Sequence, residues 1–139
     1  MSKLIAVDFD GTIVTHAYPK IGKEIPFAID TLLRLQQEGY RLVLWTVRSG
    51  KLLDEAVDYL KSRGLEFYAV NANFPGEQLD EKDSRKVNAD IYIDDRNVGG
   101  LPDWGIIYQM IKGTCIPQYN AHYQVPQPKG FFAKLKAML

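Results

Sequence analysis

The sequence predicts an α/β fold built on a parallel sheet with helices on both faces. Short apolar, β-branched runs alternate with segments whose apolar residues recur at helical spacing. No repeat, low-complexity tract or linker interrupts that alternation before about residue 114. Most strand runs are apolar on both sides, as in a sheet covered on both faces.

KLIAVDF (3–9) reads as the first strand. Glu24 to Gln37 places Ile25, Ala28, Ile29, Leu32, Leu33 and Leu35 on a helix face, with Pro26 in its first turn and Gly39 at its end. RLVLWT (41–46) is the second strand, and Leu52, Leu53, Ala56, Val57 and Leu60 mark a second helix closed by Gly64. EFYAVN (66–71) and ADIYIDD (89–95) are the third and fourth strands. Asp103 is placed to cap a short helix from Trp104 to Lys112, with Gly113 as its stop. Strands separated by helices pair in parallel through right-handed crossovers.

Residues 1–113 therefore form the core, with a short flap at about 14–23, and 114–139 form a tail. The tail is rich in Pro, Gln and Tyr and ends in an amphipathic segment bearing Phe131, Phe132, Leu135, Met138 and Leu139. We expect it to dock on the domain or on a sister subunit, which makes a homo-oligomer the expected assembly.

The 139 residues include 17 Lys plus Arg and 17 Asp plus Glu, so no net charge draws the chain to nucleic acid or an anionic membrane. No apolar stretch reaches the length of a membrane span. A single cysteine, Cys115, forms no internal disulfide and reads as a packed residue, which fits a cytoplasmic setting.

In parallel sheets the ligand crevice lies beyond the carboxyl ends of the strands. Strand one ends in Asp8, with Asp10 just beyond; strand two ends in Thr46, followed by Val47 and Arg48; strand four ends in Asp94 and Asp95, with Lys86 ahead of it. Four carboxylates at one edge repel unless a cation joins them, and an all-oxygen donor set favours Mg²⁺. An ionised carboxylate there can attack phosphorus once repulsion is cancelled. The Thr46 hydroxyl and the turn at Val47 and Arg48 would hold phosphoryl oxygens, with Lys86 as the compensating cation. Arg48 reads equally as a solvated side chain. Asp10 suits proton transfer at the leaving oxygen, provided that its neighbours favour the protonated form. His16 in the flap reads first as an exposed loop histidine and second as a group that meets the substrate or helps a leaving group; His122 reads as solvated or structural.

These residues resemble the haloacid dehalogenase-like (HAD) hydrolase superfamily, mostly phosphatases. VDFDGTIV (7–14) matches its first motif, D-x-D-G-T-[IV]; LWTVRSG (44–50) looks like the second; Lys86 fits the third and YIDD (92–95) the fourth. The resemblance covers roughly residues 3 to 100. It implies a three-layer Rossmann-like sheet, Asp8 as nucleophile, Asp10 as general acid/base, and Thr46 and Lys86 on the phosphoryl group. It also implies Mg²⁺ held by the Asp8 side chain, the Asp10 carbonyl and the Asp94–Asp95 pair, with Asp94 the preferred ligand. The gaps between motifs leave no room for a cap domain, so the chain resembles a small capless (C0-type) member.

The expected activity is Mg²⁺-dependent hydrolysis of a phosphomonoester, first a small sugar phosphate, then a nucleotide or phosphoprotein. A receiver-like or catalytically silent phosphate-binding module is the alternative from another class. Its acid pair would follow the first strand and its acceptor Asp the third, which is not the order here. A calcium loop fails because D-F-D-G lacks a third acid before its glycine and no Glu closes it.

Overall fold

The computed structural model describes residues 2–113. The expectations for Cys115, His122 and the amphipathic tail lie outside the described residues. The elements run β1 (Leu4–Val7), α1 (Ala28–Gln37), β2 (Arg41–Leu44), α2 (Gly50–Ser62), β3 (Ala69–Val70), β4 (Ile91–Ile93) and α3 (Trp104–Ile111). The four strands form one all-parallel sheet in the order β3-β2-β1-β4. No helix among the described residues is long and apolar enough to cross a membrane.

Each strand is shorter than its apolar run. The runs continue past the paired segments toward the site, through Asp8 after β1 and through Trp45 and Thr46 after β2. Helix α1 starts at Ala28, four residues after Glu24, so Pro26 lies ahead of the first turn instead of within it. Phe27 precedes the helix at φ 67 with its side chain 71% exposed. Asp103 occupies the position before α3 without a side-chain cap bond. Gly39 and Gly64 follow the ends of α1 and α2 as the sequence predicts, where the next amides bond back into the last turn.

The expected three-layer arrangement is not what the described residues form. Ile5, Val7, Leu42 and Leu44 share one buried cluster with Ala28, Leu32 and Leu35 of α1, Ala56 and Leu60 of α2, and Trp104 and Ile107 of α3. All three helices thus cover one face. The other face, Leu4, Ala6, Val43 and Ala69, packs against Val87, Ala72 and Ala89 of the irregular β3–β4 connection. That connection must recross the sheet from one edge to the other. Its sequence, with Pro75, Gly76 and a run of charged residues, has no apolar period to build a helix. Alanines at Ala6, Ala69, Ala72 and Ala89 let an extended segment lie close to the sheet.

The register sets the site. Val7 pairs with Leu44 on one side and with Ile93 on the other. The Asp8 amide donates to the Ile93 carbonyl at 2.9 Å, and the Trp45 amide to the Val7 carbonyl at 2.8 Å. The carboxyl ends of β1, β2 and β4 therefore open at the same level of the sheet.

Candidate functional site

Asp8, Asp94 and Asp95 each bring a carboxylate oxygen within 4.8 Å of the others, so the group could hold a metal ion. Each residue is half-buried. Three crowded acids disfavour full ionisation. Burial and the neighbouring Asp94 charge, with the Asp95 hydrogen bond adding to them, push Asp8 up from 3.8 to about 7, against the opposing pull of the Thr12 hydroxyl. Burial works to raise Asp95 as well, but the hydrogen bonds from His16 and Asp8 outweigh it and hold Asp95 below the usual carboxylate range. An oxygen-only donor set with a carboxyl in need of a compensating positive charge fits a hard divalent cation.

The loop after β1 is built around two residues of the D-x-D-G-T run. Thr12 is fully buried, and its hydroxyl lies 3.0 Å from Asp8 Oδ2 and 3.3 Å from Asp95 Oδ1 while accepting the Asp95 amide at 3.0 Å. One hydroxyl thus ties the end of β1 to the end of β4. Gly11 has φ +85, and a Cβ there would stand 2.2 Å from His16 Nε2 and 2.4 Å from Asp95 Oδ2. The backbone conformation favours glycine, and a Cβ would in addition force the His16 and Asp95 side chains to shift.

His16 is an exposed loop histidine, as the sequence predicts, and its Nε2 also lies 2.7 Å from Asp95 Oδ2. The flap that carries it stands on a short stem. The Thr15 amide donates to the Lys23 carbonyl at 2.8 Å, the Lys23 amide to Thr15 Oγ1 at 3.0 Å, and Val14 bridges Glu24. Tyr59 of α2 and Arg63, just past its end, both bind Glu24, anchoring the stem to the helix layer.

Arg48 corrects the sequence expectation most sharply. It neither faces solvent nor stands open to a phosphate. It is 1% exposed, and its Nε and Nη2 donate to Asp10 Oδ2 and Oδ1 at 2.7 and 2.8 Å. The remaining donors reach the carbonyls of Pro19, Lys20 and Leu52. A guanidinium has five N–H donors, and every one is committed. Asp10 is buried, and its side chain is directed to Arg48, outside the three-carboxylate group. Proton donation by Asp10 from this arrangement would require one of its two bonds to Arg48 to break.

At the end of β2 the Thr46 amide donates to Asn71 Oδ1 at 2.8 Å, and Thr46 Oγ1 accepts the Arg48 amide at 3.1 Å. The Thr46 hydroxyl proton and the Val47 amide remain free to donate, and Val47 is 86% exposed. They border a cleft of about 980 Å³ whose wall also includes Ser49, Asn71, Asp80 and Arg85. Asn71 holds φ 49 to make its contact. Lys86 is exposed with its ammonium 4.9 Å from the Tyr92 ring centre, and no ion pair joins it to the acidic group.

Sequence reasoning thus missed Thr12, Asn71, the Asp95 contact of His16 and the partner of Arg48. Only Thr12 had a local signal, its place directly after Asp10 and Gly11.

No family model matches the chain, and no curated relative matches it. Among solved structures, a conserved protein from Bacteroides thetaiotaomicron is 61% identical, with a TM-score of 0.78, over 84% of this chain and 94% of that one. The chain belongs to the same family as that protein. At this identity the relative supports the α/β architecture described above.

Proposed function

We propose that the protein is a Mg²⁺-dependent phosphomonoester hydrolase that works through an aspartyl-phosphate intermediate, in the manner of capless HAD phosphatases. The observation that carries this reading is the convergence of Asp8, Asp94 and Asp95 within 4.8 Å at strand ends that open beside Thr46 and Val47. A bound Mg²⁺ would supply positive charge that keeps Asp8 ionised and offsets the charge of the phosphoryl oxygens. Asp94 and Asp95, with the Asp8 side chain and the Asp10 carbonyl, are the residues to hold it.

In this mechanism an Asp8 carboxylate oxygen bonds to phosphorus as the ester P–O bond breaks, and the leaving oxygen takes a proton from solvent water at the open site. The Thr46 hydroxyl and Val47 amide donate to the phosphoryl oxygens. Water then attacks the acyl phosphate, releasing inorganic phosphate and restoring Asp8. Asp10 would take the proton of that water and pass it to solvent once one of its oxygens is freed from Arg48, which restores the starting state. Arg48 is assigned to Asp10 and not to the phosphate. Lys86 would have to leave the Tyr92 ring to reach a phosphoryl oxygen, so we give it no step.

The cleft beside Thr46 offers the Ser49 hydroxyl and the Asp80 carboxylate as acceptors, which suits the hydroxyls of a small sugar phosphate. The test is phosphate release from an aryl phosphate, with and without Mg²⁺, by the native chain and Asp8→Asn. Mg²⁺-dependent release lost in Asp8→Asn is expected. Release that survives in Asp8→Asn, or no release by the native chain, would overturn the reading.

A further inference from the structure

The flap of residues 14–23 meets the rest of the site at two places. His16 reaches Asp95, and the carbonyls of Pro19 and Lys20 accept from Arg48 at 3.2 and 3.0 Å. The same guanidinium holds both oxygens of Asp10 and also bonds to Leu52 in the first turn of α2. The rings of Phe9 and Tyr18, the latter on the flap, each lie 5.2 Å from its Cζ. The flap cannot lift from this position without stripping hydrogen bonds from a buried charge. A buried guanidinium that loses its acceptors is strongly disfavoured.

We propose that Arg48 is a positioning residue that couples the flap to Asp10: opening the flap over the acidic group strips the Pro19 and Lys20 carbonyls from Arg48, and the guanidinium so freed lets go of Asp10 in the same event. Arg48 touches no reacting atom in this account. It fixes where Asp10 points and, through the flap backbone, where His16 sits. The consequence for turnover rests on the phosphohydrolase reading; the structural linkage does not.

The first test needs no substitution and no substrate. In the intact native chain, hydrogen exchange is followed by NMR at Arg48 Nε and at the Thr15 and Lys23 amides, which close the flap stem. Protection factors that agree within about threefold indicate one shared opening, and a difference above about tenfold overturns the proposal. The second test is Arg48→Lys, which keeps a charge but cannot grip two oxygens in a fork. Exchange at Thr15 and Lys23 should rise about tenfold or more, with the Ile5 and Val43 amides changed by less than about threefold. Uniform acceleration along the chain would reduce Arg48 to a general stabiliser and overturn the proposal.

In the aryl phosphate assay Arg48→Lys should lower kcat by about tenfold with KM held within about threefold. A raised KM at unchanged kcat would instead make Arg48 a substrate contact. A native chain without phosphatase turnover would sink the function and leave the exchange comparison to decide the linkage.

Discussion

The indole Nε1–H of Trp104 donates to the carbonyl oxygen of Thr12 at 3.0 Å, and both residues are buried. The bond joins the start of α3 to the loop that follows β1. The Thr12 side chain, on the other side of the same residue, bridges Asp8 and Asp95. Helix α3 therefore braces the acidic group although it contributes no carboxylate. Trp104→Phe keeps most of the packing and removes only the donor. It should cost about 1–2 kcal/mol, measured by urea unfolding, and weaken Mg²⁺ binding measured by calorimetry. Unchanged stability and binding would show that the bond does not support the site.

The raised Asp8 makes the metal-free protein pH-sensitive in a definite direction. Its folded-state value of about 7 lies above 3.8, so the folded chain holds this proton more tightly than the unfolded chain. The associated stability is full at low pH and is lost as pH rises through about 7. Asp8→Asn should therefore raise the Tm relative to the native chain, with the gap widening by about 5 °C between about pH 5 and about pH 8 in chelator. A gap that narrows over that interval would contradict the burial argument.

Cation binding should act in the opposite sense, since a bound divalent ion stabilises the ionised group. Mg²⁺ should raise the native Tm more at about pH 8 than at about pH 5, with a stabilisation near 2.7 kcal/mol when its concentration is about 100 times Kd. Asp94→Asn and Asp95→Asn should each reduce the shift. A full shift in both variants would remove the Asp94–Asp95 pair from the cation site.

The buried Arg48–Asp10 pair sets a fourth expectation. Arg48→Met leaves Asp10 facing nonpolar surroundings and should cost about 3–5 kcal/mol. Adding Asp10→Asn removes the stranded charge and should recover part of that loss. A double-mutant cycle with no interaction energy would mean that the two side chains do not depend on each other.

Gly11→Ala should disturb the site at its base. The positive φ costs about 1–3 kcal/mol for a side-chain-bearing residue, before the 2.2 Å approach to His16 Nε2 is counted. The expected result is lower stability by denaturation together with loss of the Mg²⁺-dependent Tm shift. A variant with native stability and a native shift would rule out the close approach.

Much of this protein was written locally in the sequence. Apolar period and chain stops located the helices at Leu32–Leu35 and Ala56–Leu60, and the parallel-sheet rule brought Asp8, Asp94 and Asp95 to one edge. The rule works because hydrogen-bonded parallel strands must open in the same direction, so acids that follow β1 and β4 have nowhere else to go. Residue pairing across the fold was not legible. Arg48 lies 38 positions from Asp10, and His16 lies 79 from Asp95. Nothing in either neighbourhood marks the partner. The second face of the sheet was misread for a related reason: apolar strands announce that a face is covered, but not whether a helix or an irregular segment covers it. Local sequence determines which elements form, because backbone geometry and side-chain periodicity act over a few residues. Only the packed chain decided that the charge of Arg48 would be buried, because the acid and the flap carbonyls that make its burial tolerable come together only when the fold closes.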